Sequence, residues 1–141
     1  MRFLLIPAPG PKDAKGEADQ PIDEQVFAAY MKYNEEMQKA GVLIASEGLQ
    51  PGATGAHVLF SGGKRTVVDG PFAETKELIA GFWLIEVKSK EEAIEWALRC
   101  PVAPGSDEVL EIRQLTGAGD IPAELRAIIA AVAPAWSETF R

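Results

Sequence analysis

Four ionisable side chains, Asp69, Glu74, Lys76 and Glu77, fall within nine residues that also include Gly70, Pro71 and Phe72. A strand-like run ends at Asp69, Gly70 and Pro71 break it, and Phe72 supplies an apolar anchor for the turn. Two chemistries fit Asp69. In the hairpin register derived below it shares a strand face with Val58, Phe60 and Val67. A carboxylate among apolar neighbours holds its proton to higher pH, as a group moving protons near neutrality must. Alternatively, an aspartate before Gly-Pro caps the turn through its own side chain and holds backbone rather than substrate. Lys76, beside Glu74 and Glu77, either receives an anionic ligand or belongs to an ion-paired rim, where an exposed pair contributes only about 0–1 kcal/mol.

The other reactive side chains are few. His57 is the sole histidine and Cys100 the sole cysteine. Gly62 and Gly63 predict a two-residue hairpin turn, so Ser61 pairs with Lys64, His57 with Val68 and Ala56 with Asp69. Paired residues share a face and chain neighbours do not, which puts His57 and Asp69 on opposite faces rather than in a dyad. Cys100, at a helix end before Pro101, reads as a small buried residue and not a nucleophile. No metal constellation, phosphate loop, dinucleotide fingerprint or nucleophile elbow is visible, and no cofactor is expected. A carboxylate-only site for a hard cation stays open. Tyr30, Tyr33 and Trp83 are the aromatic residues that approach the Asp69 region. Tyr33 and Trp83 are candidates to line a ligand, and the competing reading makes them core or dimer contacts.

These residues need elements to position them. Arg2 to Ile6 is a short apolar run closed by Pro7, a strand buried on both faces. Ala8 to Ile22 has no periodicity and reads as a long loop with solvated charges. Asp23 is an N-cap candidate for a helix carrying Val26, Phe27, Tyr30, Met31 and Met37 on one stripe, with Gly41 past its end. A short strand, Val42 to Ala45, precedes the hairpin strands Ala56–Phe60 and Lys64–Val68. Leu78 to Val87 is apolar enough for a central strand. Ser89 and Glu92 form a capping box that opens a helix with Ala93, Ile94, Ala97 and Leu98 towards the core. Val109 to Leu115 is a last strand, and after the linker Gly117–Gly119 come an alanine-rich helix from Pro122 to about Val132 and a tail with Trp136 and Phe140.

The order strand, helix, strands with a hairpin, helix, strand predicts an α+β fold: a ferredoxin-like antiparallel sheet with its helices on one face. Helices cover only one side of such a sheet, while the strands Phe3–Ile6 and Phe82–Val87 are apolar on both. A second copy packed sheet against sheet would shield the other side, giving a homodimer of the dimeric α/β-barrel type.

Composition narrows the function classes. The 141 residues, 47% hydrophobic and 25% charged, suit one domain with a real core. A net charge of −7 argues against a nucleic-acid surface, which needs clustered Lys and Arg. No apolar run is long enough to span a membrane, and no leader pattern opens the chain, so the expected compartment is the cytoplasm.

The segment Asp69 Gly70 Pro71 Phe72 with Glu74, Lys76 and Glu77 resembles the signature of the DGPF group of the YCII-related family. The similarity continues through Tyr33, Glu36 and Met37, Ala40 to Leu43, Gly48 Leu49 and Pro51, Thr66 to Asp69, Gly81 Phe82 Trp83 and Glu91 to Ala97. It covers most of residues 1–115, so a family domain is expected at 1–116 with a C-terminal helix and tail at 117–141 packed on or near it. The resemblance implies the dimeric α/β-barrel form of the ferredoxin-like fold, a homodimer, and a cleft near the signature. Function in this group is largely unassigned, and many members are encoded beside, or fused to, sigma factors of the extracytoplasmic-function type. In the broader family a helix histidine and an aspartate are proposed as a catalytic pair. The helix Asp23–Ala40 contains no histidine, so that pair does not carry over. Two expectations follow. One is a small organic ligand bound near Asp69, with cofactor-independent acid–base chemistry of the lyase or isomerase kind, Asp69 as base or orienting carboxylate, Lys76 as anion partner and Tyr33 as positioning group. The other is a noncatalytic partner of a sigma factor, with the tail from Pro122 as docking element.

Overall fold

The computed structural model describes residues 1–9, 23–50, 54–70, 79–105 and 107–141. Their elements follow the expected order: β1 (Arg2–Pro9), α1 (Glu24–Lys39), β2 (Leu43–Gly48), β3 (Ala56–Ser61), β4 (Lys64–Asp69), β5 (Gly81–Glu86), α2 (Lys90–Leu98), β6 (Glu108–Gln114), α3 (Ala123–Val132) and α4 (Pro134–Ser137). Local chemistry sets their ends. Asp23 caps α1 by accepting from the Gln25 N–H at 2.8 Å, and Gly41 beyond the helix takes a positive φ that a side chain would strain. Ser89 caps α2 by accepting from the Glu92 N–H, while the Glu92 carboxylate accepts from the Lys88 N–H, one residue before the expected partner.

Four strands form an antiparallel sheet in the order β2-β5-β1-β6. The core gathers on one of its faces: Phe3 and Leu5 from β1, Trp83 and Ile85 from β5, Tyr33 and Met37 from α1, and Ala93 and Trp96 from α2. The apolar stripe of α1 therefore runs through Tyr33 and Met37, whereas Phe27 and Met31 are exposed, correcting the stripe expected for this helix. On α2, Trp96 takes a core position and Leu98 lies 81% exposed, reversing the expectation for Leu98. β1 also runs past Pro7 to Pro9. Beyond Leu5 it pairs only with β6, so the missing proline N–H groups interrupt no ladder with β5.

The opposite face of this sheet carries Leu4, Ile6, Phe82 and Leu84, all half-buried, with Glu47, Glu111 and Arg113 around them. β3 and β4 form a separate two-stranded sheet whose residues are all exposed. Its turn is as expected: Gly62 and Gly63 both take positive φ, and the pairing runs Ser61 with Lys64, His57 with Val68 and Ala56 with Asp69. α3 and α4 pack on each other, and Trp136 stacks on Phe140 with ring centroids 4.8 Å apart.

Candidate functional site

The register brings four chain ends to one end of the sheet. β1 finishes at Pro9 opposite Glu108, where β6 starts, and β2 finishes at Gly48 opposite Gly81, where β5 starts. α1 begins and α2 finishes at this same end, because each follows a strand and runs back along it. The Leu49 N–H still donates to the Ala80 carbonyl at 2.7 Å, so the β2–β5 ladder holds until the chain leaves for the hairpin and returns. The signature aspartate is thus carried on an excursion from the end of the sheet at which α1 begins.

Aromatic side chains line that end from the α1 side. Tyr30 lies over Trp83 with centroids 5.8 Å apart, and Tyr33 meets Trp83 edge to face at 5.3 Å. Each buried polar atom of this group has a partner. The Tyr33 hydroxyl donates to the Trp96 carbonyl oxygen at 2.6 Å. The Asn34 side-chain oxygen accepts from the Trp83 indole N–H at 2.7 Å and from the Ser46 hydroxyl at 3.1 Å, joining α1, β5 and β2. On the rim, Arg99 pairs with Glu36 at 2.8 Å and lies over the Trp96 ring.

Burial governs the titration of this group. Desolvation, reinforced by the negative charge of Glu108 and by Cys100, pushes the Tyr30 phenol up to about 12. Desolvation also raises the Tyr33 phenol, and the same two causes, burial and then Glu108, push the Cys100 thiol up to about 11. Tyr30 is therefore a neutral hydrogen-bonding group at pH 7, and Cys100 a protonated thiol of low nucleophilicity. Among the described residues no group of three His, Cys, Asp or Glu stands close enough to hold a metal ion.

The expected site residues divide. Tyr33 and Trp83 come together, but as core: both are buried and both polar atoms are used within the chain, so Tyr33 fixes α2 in place. Asp69 stands on the β3–β4 sheet, exposed, on the face that also carries Val58, Phe60 and Val67. Those neighbours are exposed with it, so within one chain they supply no desolvated setting for its carboxylate. His57 is on the opposite face, as its register requires. Glu74, Lys76 and Glu77 lie outside the described residues. Sequence reasoning missed Asn34 and Ser46. Asn34, four residues after Tyr30 on α1, was the available signal, since i and i+4 share a helix face. Two recesses, of about 330 and 320 Å³, lie at the hairpin turn around Phe60–Arg65 and between Arg2, Glu86, Gln114 and Arg141, away from Tyr30 and Trp83.

The model of the YCII-related domain matches residues 1–116, which is the four-stranded sheet with α1, α2 and the hairpin. The chain belongs to the YCII-related family. An uncharacterized protein of Rhizobium meliloti (strain 1021) is 37% identical over 99 residues, covering 70% of this chain and 77% of the relative. α3 and α4 lie beyond the family match, and no helix among the described residues is long and apolar enough to cross a membrane.

Proposed function

We propose that this YCII-related protein is a homodimer that binds a small organic molecule at the sheet end bearing its Asp-Gly-Pro-Phe segment, and that Asp69 serves as the base or orienting carboxylate of a cofactor-independent, lyase- or isomerase-like proton transfer. The observation that carries the reading is topological: the excursion bearing Asp69 leaves and re-enters the sheet at Leu49 and Ala80, at the end where Tyr30 covers Trp83. Lys76 and Glu74 follow Asp69 closely in the chain and would supply an anion partner and a polar wall. Tyr30, with a phenol neutral at pH 7, suits a hydrogen bond to the ligand, and Tyr33 with Trp83 forms the rigid floor beneath it. The apolar row Leu4, Ile6, Phe82 and Leu84, which α1 and α2 leave uncovered, supports the dimer, which would cover that row and give Asp69 apolar surroundings.

A thermal-shift screen of a metabolite library on the purified protein and on Asp69→Ala tests this reading, because a ligand that binds only the folded state raises its melting temperature. A compound that stabilises the wild type and not the folded variant supports it and names the substrate class to assay. No stabilising compound, together with a much lower melting temperature for Asp69→Ala, makes Asp69 a structural turn residue. The second reading, a noncatalytic partner of an extracytoplasmic-function sigma factor, then leads. It draws on one observation: Leu125, Ile128, Val132 and Trp136 at the C-terminal end are all more than half exposed, as a contact surface would be.

A further inference from the structure

β6 is an edge of the four-stranded sheet, and its register with β1 shows which of its backbone groups face outward. The Leu115 N–H donates to the Arg2 carbonyl at 2.8 Å, and the pairing continues Phe3 with Gln114, Leu4 with Arg113 and Leu5 with Ile112. Hydrogen-bonded and non-hydrogen-bonded pairs alternate along an antiparallel ladder. Val109, Glu111, Arg113 and Leu115 therefore turn their backbone groups towards β1, and Leu110, Ile112 and Gln114 turn theirs away from it. Among the described residues no strand pairs with that outer side. A regular edge of this kind is a template for another strand. The opposite edge, β2, is interrupted by a register shift between Leu43 and Ala45, whereas β6 keeps seven consecutive pairs with β1 and contains neither glycine nor proline. We propose that β6 pairs antiparallel with β6 of a second copy of this chain, about a two-fold axis through Ile112, joining two four-stranded sheets into one.

The order of side chains selects both the partner and the register. Glu111 and Arg113 flank Ile112 on the open face of the sheet, 3.5 Å apart and both more than half exposed. With the axis at Ile112, Glu111 lies opposite the partner's Arg113, and Arg113 opposite the partner's Glu111. Both are non-hydrogen-bonded pairs, whose side chains approach most closely. The β1 residues behind them, Leu4 and Ile6, add no charge. On the same face Val109 meets the partner's Leu115. On the helix side Ile112 meets the partner's Ile112, and Leu110 meets the partner's Gln114. Glu108, the remaining charge of the strand, falls opposite the partner's Thr116. Moving the axis to residue 111 or 113 sets Glu111 or Arg113 against its own copy. Moving it to 110 or 114 sets Glu111 against Val109 or Gly117. The strand is thus self-complementary about Ile112, as a contact using one patch on both subunits requires.

This contact is separate from the homodimer proposed above, since pairing edge to edge leaves Leu4, Ile6, Phe82 and Leu84 uncovered. Amide hydrogen exchange read by NMR and sedimentation equilibrium, both on the full chain, test it. The samples are the wild type, Glu111→Arg, Arg113→Glu and an equimolar mixture of the two variants. The wild type is expected to associate and to exchange slowly at Leu110, Ile112 and Gln114. Each variant alone sets like charges opposite one another and should lose about 10-fold or more in association and in that protection. The amides at 109, 111 and 113, bonded to β1, should stay protected throughout and report an intact sheet. The mixture should recover both properties, because the new arginine of one chain meets the new glutamate of the other, while neither chain regains its own Glu111–Arg113 pair. A monomeric wild type overturns the edge pairing and the homodimer together. A wild type that associates with those three outward amides exchanging as fast as in the variants, or a mixture that recovers nothing, overturns the edge pairing alone.

Discussion

The Tyr33 hydroxyl donates to the Trp96 carbonyl oxygen across 2.6 Å, joining residues 63 positions apart in the chain. Both side chains are buried, so this bond ties α1 to α2 at the level of the core. Tyr33→Phe keeps the ring against Trp83 but removes the donor and leaves a carbonyl without its partner. Denaturant unfolding is expected to show a loss of about 1–3 kcal/mol with an unchanged slope, and an unaltered midpoint would contradict this account.

Asn34 accepts two hydrogen bonds with one oxygen, from Trp83 and from Ser46. Asn34→Ala leaves the indole N–H of a nearly buried tryptophan unsatisfied and is expected to cost about 1–3 kcal/mol. Ser46→Ala removes only one of the two donors and should cost less. Equal losses in the two variants, measured by the same unfolding experiment, would show that Asn34 is not the hub of this network.

Gly81 and Gly48 face each other across β2 and β5 yet differ in what surrounds them. A Cβ at Gly81 would run into the Glu47 carbonyl oxygen, whereas one at Gly48 would meet nothing within 4 Å. Gly81→Ala is therefore expected to destabilise by about 1–3 kcal/mol through strand displacement. Gly48→Ala should fall within about 0.5 kcal/mol of wild type. Thermal melts of the pair give the comparison directly, and reversal of the order would refute the close approach.

The raised acids predict a pH dependence on the alkaline side. Cys100 has an ordinary value of 9.0, raised to about 11, and Tyr30 one of 10.0, raised to about 12. The folded chain thus keeps protons that the unfolded chain releases first. The contribution of these groups is complete below pH 9, and stability falls as pH rises from there through 11 and 12. Unfolding free energies measured from pH 8 upward should decline, more gently in Cys100→Ser. Alkylation of Cys100 by iodoacetamide should be slow at pH 8 and rise towards pH 11.

Elements fixed by short-range chemistry were legible in the sequence. The hairpin register followed from Gly62 and Gly63, since two consecutive positive φ values define a two-residue turn and a turn defines every pair behind it. Asp23 and Ser89 announced their helices in the same way. What depends on the third dimension was less legible. Phe27, Met31 and Leu98 have the right type and spacing for a core, but the sheet beneath is only as wide as its four strands, and it reaches Tyr33, Met37 and Trp96 instead. Candidate site residues depend on it most. Tyr33 and Trp83 are close to the sheet end in sequence terms, yet their polar atoms are already used by the Trp96 carbonyl and Asn34, which no local pattern discloses.

The way the hairpin is attached has a consequence for how this chain can be altered. Because it departs and returns through two strands already paired at Gly48 and Gly81, the four-stranded sheet closes without any help from what lies between. The segment is an appendage in topology, and the entropy of closing a loop grows only as the logarithm of its length. Shortening or exchanging it should therefore leave the four-stranded sheet and its two covering helices folded.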